Sequence, residues 1–243
     1  SDNMYVFGRN VAKELINNNR KIKKVYLNDN LKGSEIDEAL KEKDVLINYL
    51  TTSQMDKLEK KNHQGVILEI PDYEYLSEQD MLNNMPDKAF IVILDHLEDP
   101  HNFGAIIRTC EAAGVDYIII PKNRSVSVNS TVMKTSVGAL DNVKIVEVTN
   151  LNNTIKKLKD NGVWVVGTDL ENSVSYDKID YTTSIALIIG SEGFGMSNLV
   201  KKNCDFIANI PMYGKINSLN ASVAAGIMLS LIHISEPTRL RCI

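Results

Sequence analysis

Apolar positions fall along this chain in two regimes. Over residues 1–70 short strand-like runs alternate with helical spacings. Met4–Phe7, Lys23–Asn28, Val45–Leu50 and Gly65–Ile70 read as strands, and Asn10–Asn18, Ser34–Glu42 and Ser53–Lys61 as helices. Residues 71–86 lose any period and are bracketed by Pro71 and Pro86, which suits a linker holding a short helical piece. Beyond residue 87 the strands become almost wholly apolar: Ala89–Leu94, Tyr117–Ile120, Val143–Val148, Val163–Gly167, Ile185–Ile189 and Phe206–Ile210. Strands buried on both faces look like this, so a mostly parallel sheet covered by helices is expected. Phe103–Ala113, Asn152–Asn161 and Met196–Asn203 supply crossover helices. The pattern therefore predicts an α/β protein of two domains, 1–70 and 87–243, joined by 71–86.

Composition narrows the partners. With 243 residues and 44% hydrophobic content the chain can bury two cores. No apolar run approaches the ~20 residues that span a bilayer, and no leader pattern opens the sequence, so a cytoplasmic protein without membrane contact is expected. Cys110, Cys204 and Cys242 are too scattered for a disulfide framework, and His63, His96, His101 and His233 share no ligand spacing with them, so no metal is expected. The net charge of -4 argues against indiscriminate phosphate binding and makes any nucleic-acid site a local one.

Three polar clusters close apolar runs: Asp99-Pro-His-Asn-Phe-Gly-Ala-Ile-Ile-Arg-Thr109, Gly190-Ser-Glu-Gly-Phe-Gly195 and Ile210-Pro-Met-Tyr-Gly-Lys-Ile-Asn-Ser-Leu-Asn-Ala-Ser222. Polar residues and glycines at strand ends are what an open α/β sheet presents to its ligand. The glycine cluster lacks the Lys-Ser/Thr ending of a phosphate loop and the spacing of the dinucleotide fingerprint. Glu192 would repel a polyphosphate by roughly 1–4 kcal/mol at contact, so a neutral or cationic ligand suits it better. Asn102 makes a good N-cap for a helix beginning at Phe103, and capping alone would account for it. Capping does not account for Arg108, a permanent cation in an apolar run, whose side chain leans toward the amino end of its helix. Ser218 and Asn220 are also capping types, yet they open a helix of small residues, Val223-Ala-Ala-Gly226, that can pack unusually close to its neighbours.

In order and wording these clusters resemble the SpoU (TrmH) family of SPOUT RNA methyltransferases, which transfer a methyl group from S-adenosyl-L-methionine to a ribose 2′-hydroxyl. Tyr5-Val-Phe-Gly-Arg-Asn10 and His63-Gln-Gly-Val66 likewise resemble the opening and closing phrases of that family's substrate-binding domain. The resemblance implies a small L30e-like RNA-binding domain followed by a SPOUT methyltransferase domain with a C-terminal trefoil knot. It implies that Asn102, Arg108, Glu192, Ser218 and Asn220 form the reaction centre. Gly190, Ile210 and Leu219 would hold S-adenosylmethionine, mainly through backbone.

Family members acting on the transfer-RNA D-loop typically lack the amino-terminal domain. Its presence implies ribosomal RNA, and the resemblance further implies a guanosine of the large subunit; transfer-RNA methylation, a drug-resistance methylation of ribosomal RNA and a non-catalytic ribosome-assembly factor are the alternatives. Arg9, Arg20, Lys21, Lys23 and Lys24 are the expected phosphate contacts of the first domain. Arginine is a poor resting base because its pKa exceeds 12, so Arg108 is expected to stabilise the forming alkoxide, and the base is left open. The resemblance also implies a homodimer, formed partly by the last helix. One stretch departs from it: Leu229-Ser-Leu-Ile-His-Ile-Ser-Glu-Pro-Thr-Arg239 reads like translated adapter DNA, so residues after about 228 are expected to be non-native.

Overall fold

A computed structural model describes residues 2–123, 125–169, 184–190 and 198–209. The chain divides into two compact units, residues 1–74 with 128–141, and 75–127 with 142–243.

The first unit is built on a four-stranded sheet. Its elements are β1 (Asn3–Phe7), α1 (Arg9–Asn17), β2 (Lys24–Asn28), α2 (Glu35–Glu42), β3 (Ile47–Leu50), α3 (Thr52–Leu58) and β4 (Val66–Pro71). The strand order is β1-β4-β2-β3, with β4 antiparallel to both neighbours and β2 parallel to β3. Helix α1 forms because Val11, Ala12 and Leu15 share one face, and all three are buried. Ser34 caps α2, and Thr51 and Gln54 close a capping box on α3. The apolar pattern predicts α3 running on to Lys61. It stops at Leu58 because Glu59 turns extended, with φ -143°.

The first turn of α2 carries the buried carboxylate of Asp37, which accepts from the Gly33 N–H and the Tyr49 hydroxyl, both at 2.7 Å, and pairs with Lys41 at 3.1 Å. Burial pushes this carboxyl up, but the Gly33 N–H, Tyr49 and Lys41 outweigh it and leave the group below its ordinary value. A further helix, α6 (Ser130–Ser136), also belongs to this unit, although the sequence pattern leaves it unassigned and puts its residues in the second domain. Asn129 caps it, Val132 and Met133 bury, and Lys134 stands 4.3 Å over the Phe7 ring. Arg20 pairs with Asp141 at 2.9 Å, fastening the end of the same segment.

The second unit carries a six-stranded, wholly parallel sheet: β5 (Phe90–Leu94), β6 (Tyr117–Pro121), β7 (Lys144–Val148), β8 (Trp164–Asp169), β9 (Ile185–Ile189) and β10 (Phe206–Asn209). Their order is β10-β8-β9-β5-β6-β7. Helices α4 (Glu78–Asn84), α5 (Pro100–Ala112), α7 (Leu151–Asp160) and α8 (Asn198–Lys202) complete it. One face of the sheet, through Ile91, Ile93, Ile119 and Ile188, packs with Met81 of α4, Ile155 and Leu158 of α7 and Val200 of α8. The alternate residues Phe90, Val92 and Leu94 are equally buried, as period-2 alternation in a doubly covered sheet requires, and α5 buries Phe103, Ile106 and Ile107.

Residues 75–86, read from sequence as linker, join this unit: Met81 is in its core, and Glu78 takes bonds from Thr154 and, at 2.8 Å, Lys157. Burial pushes the Glu78 carboxyl up, while Lys157 and Thr154 more than offset this and hold it below its ordinary value.

Candidate active site

From β5 the chain proceeds outward through β6 and β7 in one direction, whereas β9, β8 and β10 lie on the other side of β5. The β5/β9 junction is thus the topological switch point, where a parallel sheet opens a crevice at its carboxyl edge. The two strands run in register to their ends, Leu94 opposite Ile189, and the Asp95 N–H donates to the Ile189 carbonyl at 2.8 Å. Gly190, one residue further on, therefore stands beside Asp95 at the mouth of the crevice.

Helix α5 brings the other candidate residues to that edge. Its start differs from the predicted one. Asp99, not Asn102, is the cap: its side chain accepts the His101 N–H at 2.9 Å, Pro100 occupies the first helical position, and the helix runs from Pro100. An Asp-Pro pair pre-sets both the cap and the first φ, which is why the helix begins three residues before the expected Phe103. Asn102 falls inside the first turn and is 7% exposed. Asn102 is thus a buried residue of the helix's first turn at the switch point, and not its cap. Arg108 follows on the same helix and is exposed. Six residues make about one and two-thirds turns, so the two side chains leave the helix about 120° apart. They share a helix but not a face.

A pair that the sequence pattern did not single out closes β5. Asp95 is 1% exposed, its Oδ1 lies 2.5 Å from His96 Nδ1, and His96 has φ 63°. A non-glycine residue in the left-handed region is strained by about 1–3 kcal/mol, and such residues gather at functional sites. The doublet Asp95-His96 after an apolar run is visible in the sequence; its backbone conformation is not. Burial chiefly, then Asp205, pushes the Cys204 thiol up to about 11 despite Lys159, with Asp95 adding to the rise.

The crevice fits S-adenosylmethionine as far as it is described. Gly190 admits close approach of a ligand to the backbone at the carboxyl end of β9. Glu192, Ile210, Ser218, Leu219 and Asn220, and with them the small-residue helix, lie outside the described residues.

In the first unit the two singled-out phrases meet. The Arg9 N–H donates to Gln64 Oε1 at 2.9 Å, and Arg9 Nε donates to the Gln64 carbonyl at 3.2 Å. Of the other expected phosphate contacts, Arg20 is engaged by Asp141 at 2.9 Å, Lys23 bonds Asn3, and Lys24 sits 5.1 Å over the Tyr26 ring.

Comparison with known proteins identifies the family. Residues 89–230 match the model of the SpoU rRNA Methylase family, and residues 5–76 match that of the RNA 2′-O ribose methyltransferase substrate-binding domain. A TrmH family tRNA/rRNA methyltransferase from Staphylococcus saprophyticus is 45% identical over 234 residues, covering 94% of each chain. An S-adenosylmethionine-bound rRNA methyltransferase from Sinorhizobium meliloti superposes with a TM-score of 0.77 at 25% identity, over 96% of this chain and 87% of that one. The fold is also that of the SpoU methyltransferase AviRb from Streptomyces viridochromogenes, with a TM-score of 0.80 at 21% identity, over 98% of this chain and 91% of that one. The chain belongs to the SpoU/TrmH family of S-adenosylmethionine-dependent RNA methyltransferases, whose reaction is 2′-O-ribose methylation.

Proposed function

We propose that this protein methylates the 2′-hydroxyl of a guanosine in large-subunit ribosomal RNA, as an enzyme of the RlmB type. The observation that carries the reading is the buried Asn102 in the first turn of α5, at the switch point and on the same edge as Gly190. S-adenosylmethionine, when bound, supplies the methyl group to the ribose oxygen. Asn102 orients the RNA ribose, Arg108 offers a cation to the oxygen as negative charge develops, and Glu192, Ser218 and Asn220 line the same reaction centre. Gly190, Ile210 and Leu219 hold the cofactor through backbone.

Ribosomal RNA is favoured over transfer RNA by coverage. The rRNA methyltransferase from Sinorhizobium meliloti matches 96% of this chain, whereas a TrmH/SpoU tRNA modifying enzyme from A. aeolicus matches 65%. The same reading takes in an L30e-like first unit, a trefoil knot formed by the carboxyl-terminal segments, a homodimer and a cytoplasmic location. Among the described residues no helix is long and apolar enough to cross a membrane. The test is methyl acceptance from labelled S-adenosylmethionine by purified ribosomal and transfer RNAs lacking the modification. Label entering large-subunit RNA alone supports the reading, and label confined to transfer RNA refutes the substrate.

A further inference from the structure

The segment after α3 forms a cleft that the reaction centre does not absorb and that only Arg9 of the five expected phosphate contacts reaches. Its volume is about 580 Å³, and Lys60, Lys61, Asn62 and Gln64 line it. It is shallow and open to solvent, broad enough for one nucleotide to lie against it. The walls carry cations: Lys60 and Lys61 are exposed, and Arg9 reaches the rim through its bond to the Gln64 carbonyl. The carboxylate in the lining, Asp56, accepts from His63 Nε2 at 2.8 Å and is outnumbered by the three cations. Glu59, just outside, accepts the Lys61 N–H at 3.0 Å. A chain of net charge -4 thus presents a locally positive cleft.

The floor is rigid. His63 to Val66 make a tight turn closed by the Val66 N–H on the His63 carbonyl at 3.1 Å, with Gln64 at φ 56° and Gly65 at φ 82°. His63 Nδ1 accepts the Gly65 N–H at 2.9 Å, so the imidazole carries its proton on Nε2 and bridges the turn to α3. A preformed cleft spares the ordering cost of binding.

We propose that this cleft seats one unpaired nucleotide of the substrate RNA, with Lys60, Lys61 and Arg9 on its flanking phosphates and the Asn62 amide facing the base. The proposal rests on the RNA-methylation reading and gives the first unit its point of grip. Phosphate contacts position an RNA, and an amide offering both a donor and an acceptor suits a base edge.

The experiment uses the full chain, a transcript of large-subunit ribosomal RNA carrying 4-thiouridine, and free guanosine monophosphate as the second arm. The K60Q/K61Q variant should bind the transcript ~10-fold more weakly at physiological salt, and its plot of log affinity against log salt should flatten by about 1.5. Lys32→Gln, a substitution elsewhere on the first unit, should leave both unchanged. Photocrosslinks should map to the peptide holding residues 60–65. Unchanged affinity and slope in K60Q/K61Q, or crosslinks confined to residues 20–26, would overturn the proposal. Binding of guanosine monophosphate in the cleft as tight as that of RNA would overturn it in favour of a free-nucleotide site. A parent chain that binds and crosslinks at 60–65 yet transfers no methyl group supports the cleft and refutes only the catalytic reading, whereas a parent that does not bind the transcript overturns the cleft.

Discussion

Arg108→Ala separates catalysis from folding more cleanly than any other substitution at the site, because Arg108 is exposed on α5 while Asn102 on the same helix is buried. Surface substitutions away from special contacts change stability by about 0.5 kcal/mol or less, so the variant should unfold at the parent's denaturant midpoint. Its rate is another matter. Losing a preorganised charge aimed at a developing oxyanion costs ~10² or more, which at 1.36 kcal/mol per tenfold is about 2.7 kcal/mol of transition-state stabilisation. Lysine at this position should rescue poorly, since it keeps the charge but lacks the planar fork. Single-turnover transfer with saturating RNA and S-adenosylmethionine reads the chemical step, and calorimetry confirms that the cofactor still binds. An alanine variant within a few-fold of the parent rate would show that Arg108 is a solvated surface charge and that the reaction centre lies elsewhere.

Other consequences follow from buried groups. Asp37→Asn should destabilise the chain by about 1–3 kcal/mol in urea unfolding at pH 7, because the Gly33, Tyr49 and Lys41 partners lose their carboxylate. Since the fold lowers the Asp37 pKa, this stability is present above the ordinary carboxyl value of 3.8 and is lost as pH falls through the folded value. The gap between parent and variant should therefore close in acid, and an equal gap at pH 7 and in strong acid would contradict it. Gly65→Ala should lower the melting temperature, since φ 82° strains any side chain and the added Cβ would meet Leu31 Cδ1 at 2.8 Å; an unchanged melting temperature would refute the turn geometry. Cys110, buried and with its thiol pushed up by desolvation, should resist iodoacetamide at pH 8 until urea is added; rapid labelling of the native chain at Cys110 would contradict its placement.

Uninterrupted apolar runs made the parallel sheet legible: all six of its strands overlap the ones the pattern predicts. Capping chemistry was harder to resolve, because Asp99-Pro100 and Asn102 are both competent starts, and the fixed φ of Pro100 behind the Asp99 cap decides for the first. Helix α6 escaped because Ser130-Thr-Val-Met-Lys-Thr-Ser136 is short and rich in β-branched and hydroxyl residues with weak helical preference; its formation rests on the Asn129 cap and burial of Val132 and Met133. The Lys60–Gly65 cleft was hidden for a different reason. Continuing the helical spacing of α3 puts Lys60 and Lys61 on an ordinary solvated face, and the cleft exists only because the chain leaves the helix at Glu59. Pairing of Arg9 with Gln64 explains why two phrases 55 residues apart carry the resemblance together: they are one turn-and-helix junction.

The central claim is that this chain places a methyl group on an RNA ribose oxygen. Large-subunit ribosomal RNA lacking the modification, incubated with the protein and S-adenosylmethionine bearing a labelled methyl group, can be hydrolysed in alkali and its resistant dinucleotides sequenced by mass spectrometry. The account predicts one alkali-resistant step, with the label on the ribose of a guanosine, and its loss in Arg108→Ala. Label released with alkali-sensitive mononucleotides, as a base-methylated product would be, contradicts it.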